Sequence, residues 1–358
     1  MRLRMSGLEA GRQELARSPD AQVAKTAHDK KKETNPMRLK AITAVAAAAL
    51  ALASGAAHAT WPAGPVTIVV PFAAGQTGDI VARMVSKELQ ARFKQAFIVD
   101  NRPGSGGRIG TTFVARAKPD GNTLLLTSSG PYAIAPALYP KDTKYNPLTD
   151  FSGIAETGST PQVIAVSNAS GITSFADLIK QAKAKDMSYG SAGNGSLQHL
   201  TMELLKKEIA FPMVHVPYKG SAESKTAVIS NTLEVTSDSL PPLLTSIGSR
   251  QLKAIAVVDD SRSPYIPDVP TLGELGYPKL SAVAFFGLVA PKGTPQEIVE
   301  ALNREVIAMF KTPAFQEQMK AQALTPPVER TPEQFNAYLA GEVARWKKVV
   351  EDAKVSVE

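Results

Sequence analysis

Val66-Thr67-Ile68-Val69-Val70-Pro71-Phe72-Ala73-Ala74-Gly75-Gln76-Thr77-Gly78-Asp79-Ile80 is the stretch on which the fold turns. Its first five residues are all β-branched and are bounded by Pro65 and Pro71, which predicts a strand buried on both faces. A glycine-containing turn follows, and Asp79 is a good N-cap for a helix over 80–93. Within that helix Ile80/Met84 and Val81/Val85/Leu89 recur at helical spacing. The unit is strand, small-residue loop, helix.

The same unit recurs along the chain. Short apolar strands are expected at 97–99, 124–127, 163–166, 214–216, 233–236, 255–258 and 286–290, and helical patterns at 175–184, 197–209, 295–310 and 332–350. Such alternation predicts α/β domains with mainly parallel sheets, and no short fixed repeat supports a solenoid or propeller.

Open α/β sheets bind ligands at the carboxyl ends of their strands, so the loops there matter most. Ala73–Asp79 is one; Tyr189-Gly190-Ser191-Ala192-Gly193-Asn194-Gly195-Ser196 is a second, again between strand and helix. Small residues let a backbone approach a ligand closely, and the helix amino end behind them attracts an anion. Glycines that merely make tight turns are the competing reading, weakened because two similar loops occur. A third glycine-rich stretch, Asn101–Gly110, carries two arginines but fits no phosphate-binding spacing and reads as a structural turn. No G-x-x-x-x-G-K-[ST], H-E-x-x-H or G-x-S-x-G occurs. After residue 59 only His199 and His215 remain, both expected to be packed. The expectation is therefore no catalytic residue, no metal and no cofactor. Asp238 admits two readings, the cap of the next helix or the partner of a ligand ammonium.

The chain has 358 residues and no cysteine, which excludes disulfides, thiolate metal sites and a lipid anchor on cysteine. Its formal net charge is +7. Residues 37–59, MRLKAITAVAAAALALASGAAHA, have the charged start, apolar run and A-x-A end of a secretory signal peptide cleaved after Ala59. Residues 1–36 read as a long n-region or, preferably, as an extension upstream of a true start at Met37, which opens an n-region already complete. Residues 1–59 hold ten Lys/Arg and five Asp/Glu, so the charge falls to +2 on the remaining 299 residues. The bulk-charge argument for nucleic acid goes with it.

Beyond these local signals, the chain resembles the Bug-type solute receptors of tripartite tricarboxylate transporters (TTT). The likeness runs from Trp61-Pro62 and Pro65–Gly75 through Asp100–Gly107, Pro119-Asp120-Gly121, Leu138-Tyr139, Tyr189–Ser196 with His199-Leu200, His215–Gly220 and Pro267–Thr271 to Gly287-Leu288 and Ala290–Pro295. It implies an α/β, two-lobed periplasmic-binding-protein (Venus-flytrap) fold, each lobe a mostly parallel sheet flanked by helices. Lobe one would be residues 60–162 plus 283–358 and lobe two 163–282. It also implies an unlipidated, monomeric periplasmic protein that captures a small organic carboxylate between the lobes and delivers it to TTT permease subunits. A ligand-dependent partnership with a sensor-kinase ectodomain is the alternative, and a periplasmic enzyme the weaker one.

The carboxylate would be held by Ala74, Gly75, Gln76, Thr77 and Asp79 from one loop and Ser191, Ala192, Gly193, Asn194 and Ser196 from the other. Ser128 and Ser129 would add polar groups, and Tyr218 and Lys219 would meet the ligand's far end, although a solvated loop lysine explains Lys219 equally well. The chain departs from the family at Gln76, usually glycine; at Phe285, commonly tryptophan at the crossover; and at Ser230-Asn231-Thr232, which lacks a usual glycine pair.

Overall fold

The computed structural model describes residues 61–277 and 281–353. Residues 37–59, read from the sequence as a signal peptide, and the segment before them lie outside these residues. The leading β-branched run forms β1 (Val66–Val70), and after the loop comes α1 (Thr77–Phe93). There follow β2 (Phe97–Asn101), α2 (Arg108–Ala115), β3 (Thr123–Ser128), α3 (Ala135–Leu138) and the long β4 (Phe151–Ser167). Next are α4 (Phe175–Ala184), β5 (Ser188–Ser191), α5 (Leu197–Ile209), β6 (Val214–Pro217), α6 (Ser221–Ile229), β7 (Val235–Ser239) and α7 (Leu240–Gly248). The chain ends with β8 (Leu252–Val258), β9 (Val283–Pro291), α8 (Gln296–Phe310), α9 (Pro313–Ala321) and α10 (Pro332–Ala353).

The strands run in the order β2-β1-β3-β9-β4-β7-β5-β6, with β8 also on β4. The parallel pairings are β1 with β2 and β3, and β5 with β6 and β7, each pair linked by crossovers that contain helices. Every antiparallel pairing involves β4 or β9, so the sheet as a whole is mixed. β4 lies beside β9 from Phe151 to Pro161, and from Gln162 onward beside β7 and β8. One strand thus belongs to both halves of the sheet.

Burial explains these elements. Val66, Ile68, Val69 and Val70 are wholly buried because helices cover both faces of β1, and each such side chain contributes about 1.5–3 kcal/mol on burial. In α1 the stripe Val81, Val85 and Leu89 faces the same core, widened by Ala82. Two details differ from the sequence reading. The helix starts at Thr77 with Gln76 as N-cap, so Asp79 stands at its third position instead of capping it. The strand placed at 233–236 instead spans 235–239, because its pairing with β4 continues to Gln162↔Ser239; Asp238 therefore lies in a strand, and Ser239 precedes α7. At 230–232, Asn231 takes φ +57°, a left-handed turn position that asparagine tolerates.

Candidate functional site

The first loop turns at Gly75, φ +81°, whose amide donates to Asp79 Oδ2 at 2.9 Å. Asp79 also accepts from Asn101 Nδ2 and pairs with Arg83. Burial would push its carboxyl up, but the bonds from Arg83, the Gly75 amide and Asn101 prevail and hold it below the usual range. All its capacity goes into shaping the loop. Asp79 is buried behind the loop and Ala74 and Gly75 are exposed outside the cavity wall, while Gln76 and Thr77 reach a cavity of about 460 Å3.

The second loop contributes Ala192, Gly193, Asn194 and Ser196 to the same cavity. Ser196 caps α5, its Oγ accepting the His199 amide at 3.2 Å. Ser191 sits beneath: its Oγ meets His215 Nε2 at 2.7 Å and accepts from the Gly193 amide. His215 stacks on His199 with centroids 4.1 Å apart, and His199 Nδ1 accepts from the Gly195 amide. Burial drives the His215 imidazole down to about 3, with the His199 charge adding to the effect, and lowers His199 as well. Both rings are neutral props for the loop.

Ser128 lines the cavity, but Ser129 does not; its Oγ accepts the Phe285 amide at 3.2 Å and ties β9 to β3. Tyr218 and the exposed Lys219 form part of the rim. Phe285 points away from the cavity into the packing around Tyr338, 5.5 Å between ring centroids; its neighbour Phe286, on the opposite face of β9, is the one that lines the wall.

Several wall residues carried no signal of their own. Gly104–Gly107, read as a structural turn, does turn sharply, with φ of +126°, +64° and +88° at the three glycines, yet it forms one side of the cavity. Gln162, Gln198, Ser221 and Asp238 also line it. Of these four the sequence singles out Asp238 alone; the placement of Gln162, Gln198 and Ser221 depends on which strands become neighbours, and polar singletons do not announce that. The glycines of 104–107 were the usable signal, since they resemble the two loops already singled out.

The arrangement has a common theme. The amino ends of α1, α2, α5, α6 and α7 all reach this cavity, through Thr77, Gly107, Ser196, Ser221 and Ser239. Only α5 has its amides capped by a side chain; α1, α2, α6 and α7 have none. Such amino ends present N–H groups and partial positive charge at α1, α2 and α6, whereas α7 opens with Pro241 and Pro242, which have no N–H, and contributes chiefly its dipole. Among the described residues, Lys219 and Asp238 are the only charged side chains on the wall. Among the described residues no cluster of three or more His, Asp or Glu could hold a metal ion, and no helix is long and apolar enough to cross a membrane.

The cavity is closed across its mouth. Gln76 Nε2 donates to Ser221 Oγ at 3.4 Å, from the first loop to α6. A Cβ on Gly106 would stand 2.5 Å from the Asn194 carbonyl oxygen, and one on Gly195 2.7 Å from the Tyr139 ring. Backbone on one side touches backbone on the other.

A closing cavity between two halves of a mixed sheet, walled by helix amino ends, defines a two-lobed solute-binding receptor. The family model for the tripartite tricarboxylate transporter family receptor (TctC) matches residues 81–355. The chain is 34% identical to protein BugT of Bordetella pertussis over 321 residues, 89% of this chain and 98% of BugT. Among solved structures it is similar to the periplasmic binding protein BugD, at 33% identity and a TM-score of 0.79 over 83% of this chain and all of BugD. It is equally similar to R. palustris Rpa4515 with adipate, at 32% identity and a TM-score of 0.79, covering 83% and 99% of the two chains. The chain belongs to the tripartite tricarboxylate transporter receptor family, whose members bind solutes and are not enzymes.

Proposed function

We propose that this protein captures a small organic carboxylate in the periplasm, closing one lobe, residues 60–162 plus 283–358, on another, 163–282, and delivers it to a TTT permease. The observation that carries the reading is the set of uncapped helix amino ends around one closed cavity. A carboxylate accepts several N–H groups there without a buried cationic partner, and closure strengthens each bond by expelling water. Gln76, Thr77, Ala192, Gly193, Asn194, Ser196 and Ser128 supply the contacts. Ala74, Gly75, Asp79, Ser129 and Ser191 hold those contacts in place. Tyr218 and Lys219 guard the rim. Secretion would release the chain at Thr60, which amino-terminal sequencing of the exported protein checks. Similarity to Rpa4515, whose structure contains adipate, supports a carboxylate as the ligand class.

A thermal-shift panel of carboxylic acids tests the reading. An acid at a hundred times its Kd should stabilise the protein by about 2.7 kcal/mol. A panel of mono-, di- and tricarboxylates without any shift would refute it.

A further inference from the structure

One wall residue does not suit a plain carboxylate. Asp238 is 2% exposed, lines the cavity and has no Lys or Arg within ion-pair distance among the described residues. Its hydrogen bonds come from neutral groups: Gln198 Nε2 at 2.9 Å, the Ser239 amide at 2.7 Å and the Ser221 hydroxyl. Lys225, on the helix beside it, spends its ammonium on the Pro242 carbonyl at 3.0 Å. A buried carboxylate with donors but no counter-charge is costly, and the cost falls when a cation arrives. Burial accordingly pushes the Asp238 carboxyl up, only partly offset by these donors and, least of all, by the Lys225 charge, which is not in ion-pair contact.

A second buried acceptor lies on the adjoining strand β4, opposite Ser239. Gln162 Nε2 donates to Ser239 Oγ at 3.0 Å, which leaves Gln162 Oε1 buried with no partner. Ser239 thus links the two: its hydroxyl takes the Gln162 amide and its own amide is held by Asp238. The cavity is bipolar, with helix amino ends around most of the wall and an acceptor corner where β4 meets β7.

We propose that the ligand carries an ammonium group seated against Asp238, so that the receptor selects amino-carboxylates over plain carboxylates of equal length. The inference rests on the carboxylate-receptor reading and narrows it. The helix amino ends take the ligand's carboxylate, and Asp238 completes a charge pair that exists only when ligand is bound. A neutral methylene in the same place would leave the corner unpaired.

Calorimetric titration of the purified protein with three matched pairs decides it: aspartate against succinate, glutamate against glutarate, 2-aminobutanoate against butanoate. In every pair that binds, the amino acid should bind at least about ten-fold tighter, as expected when a buried charge gains its partner. Asp238→Asn, which keeps the shape, should bring that ratio to within about three-fold of unity by removing the charge pair. A plain acid bound as tightly as its amino counterpart by the unmodified protein overturns the inference and leaves the carboxylate reading standing, whether or not the variant folds. A ratio that survives in a folded Asp238→Asn protein overturns it too. Silence from all six acids, with none in the wider panel binding, overturns both.

Discussion

Gly106 shows how little room the closed state leaves. Any side chain there meets the Asn194 carbonyl, which is backbone and cannot swing aside, and φ is +64°. Gly106→Ala should therefore leave the fold intact when open and weaken ligand binding by about ten-fold or more, a penalty of ~1.4 kcal/mol on closure alone. Equilibrium titration against the unmodified protein measures it. Gln76 works in the other direction. Its bond to Ser221 spans the two sides of the cavity, so under the proposed closure Gln76→Ala should cost about 0.5–1.5 kcal/mol of closure free energy, read as weaker binding with an unchanged melting temperature in the absence of ligand. The histidine pair makes a pH prediction. His215 ionises only near pH 3 when folded but near 6.5 when unfolded, so the unfolded chain takes up the proton first as the solution is acidified. Stability is complete above about pH 6.5 and declines as pH falls from there toward 3. His215→Asn should flatten that decline in a series of thermal melts; equal slopes would exclude His215 as its source.

The elements around the cavity differ in how they end, and this has measurable consequences. α5 is capped by Ser196, so Ser196→Ala should lower stability by about 1 kcal/mol in denaturant titration. The amino ends of α1, α2 and α6 lack side-chain caps, and in the function proposed above the carboxylate would take that role. The element level is also where sequence reading succeeded best and failed most plainly. β1, α4 and α5 were legible because their apolar residues repeat at one period with caps at the edges. The first half of β4 was not. Phe151-Ser152-Gly153-Ile154-Ala155-Glu156-Thr157-Gly158-Ser159-Thr160-Pro161 is polar, glycine-rich and broken by register shifts near Gly153 and Gly158, so it reads as a loop. It is a strand because β9 lies along it and because Arg330 reaches in to neutralise the buried Glu156. Partners 122 to 174 residues away leave no trace in the local pattern. The acceptor corner was half visible for the same reason: Asp238 was noticed as a carboxylate with two explanations, and only the position of β7 beside Gln162 separates them.

At the scale of the molecule, the two glycine-rich loops were legible as a pair, and the structure turns them into facing walls. Closure should be visible as a decrease in the radius of gyration when a bound acid is added, followed by small-angle scattering. The Gly106→Ala protein should show a smaller decrease at saturation, since its walls cannot meet. The way β4 passes from one half of the sheet to the other governs what such a motion looks like. At the crossing point it is hydrogen-bonded to its neighbour: the Gln162 amide donates to the Ala282 carbonyl at 3.0 Å, and Pro161 stands opposite Val283. Two independent threads would let the halves swivel and shear. A bonded ribbon flexes easily only out of its own plane, like a leaf spring, so the jaws open along one path and return to the same register. Every solute taken up then meets the same two surfaces in the same alignment, and any surface offered to a transporter upon closing is equally reproducible from one stroke to the next.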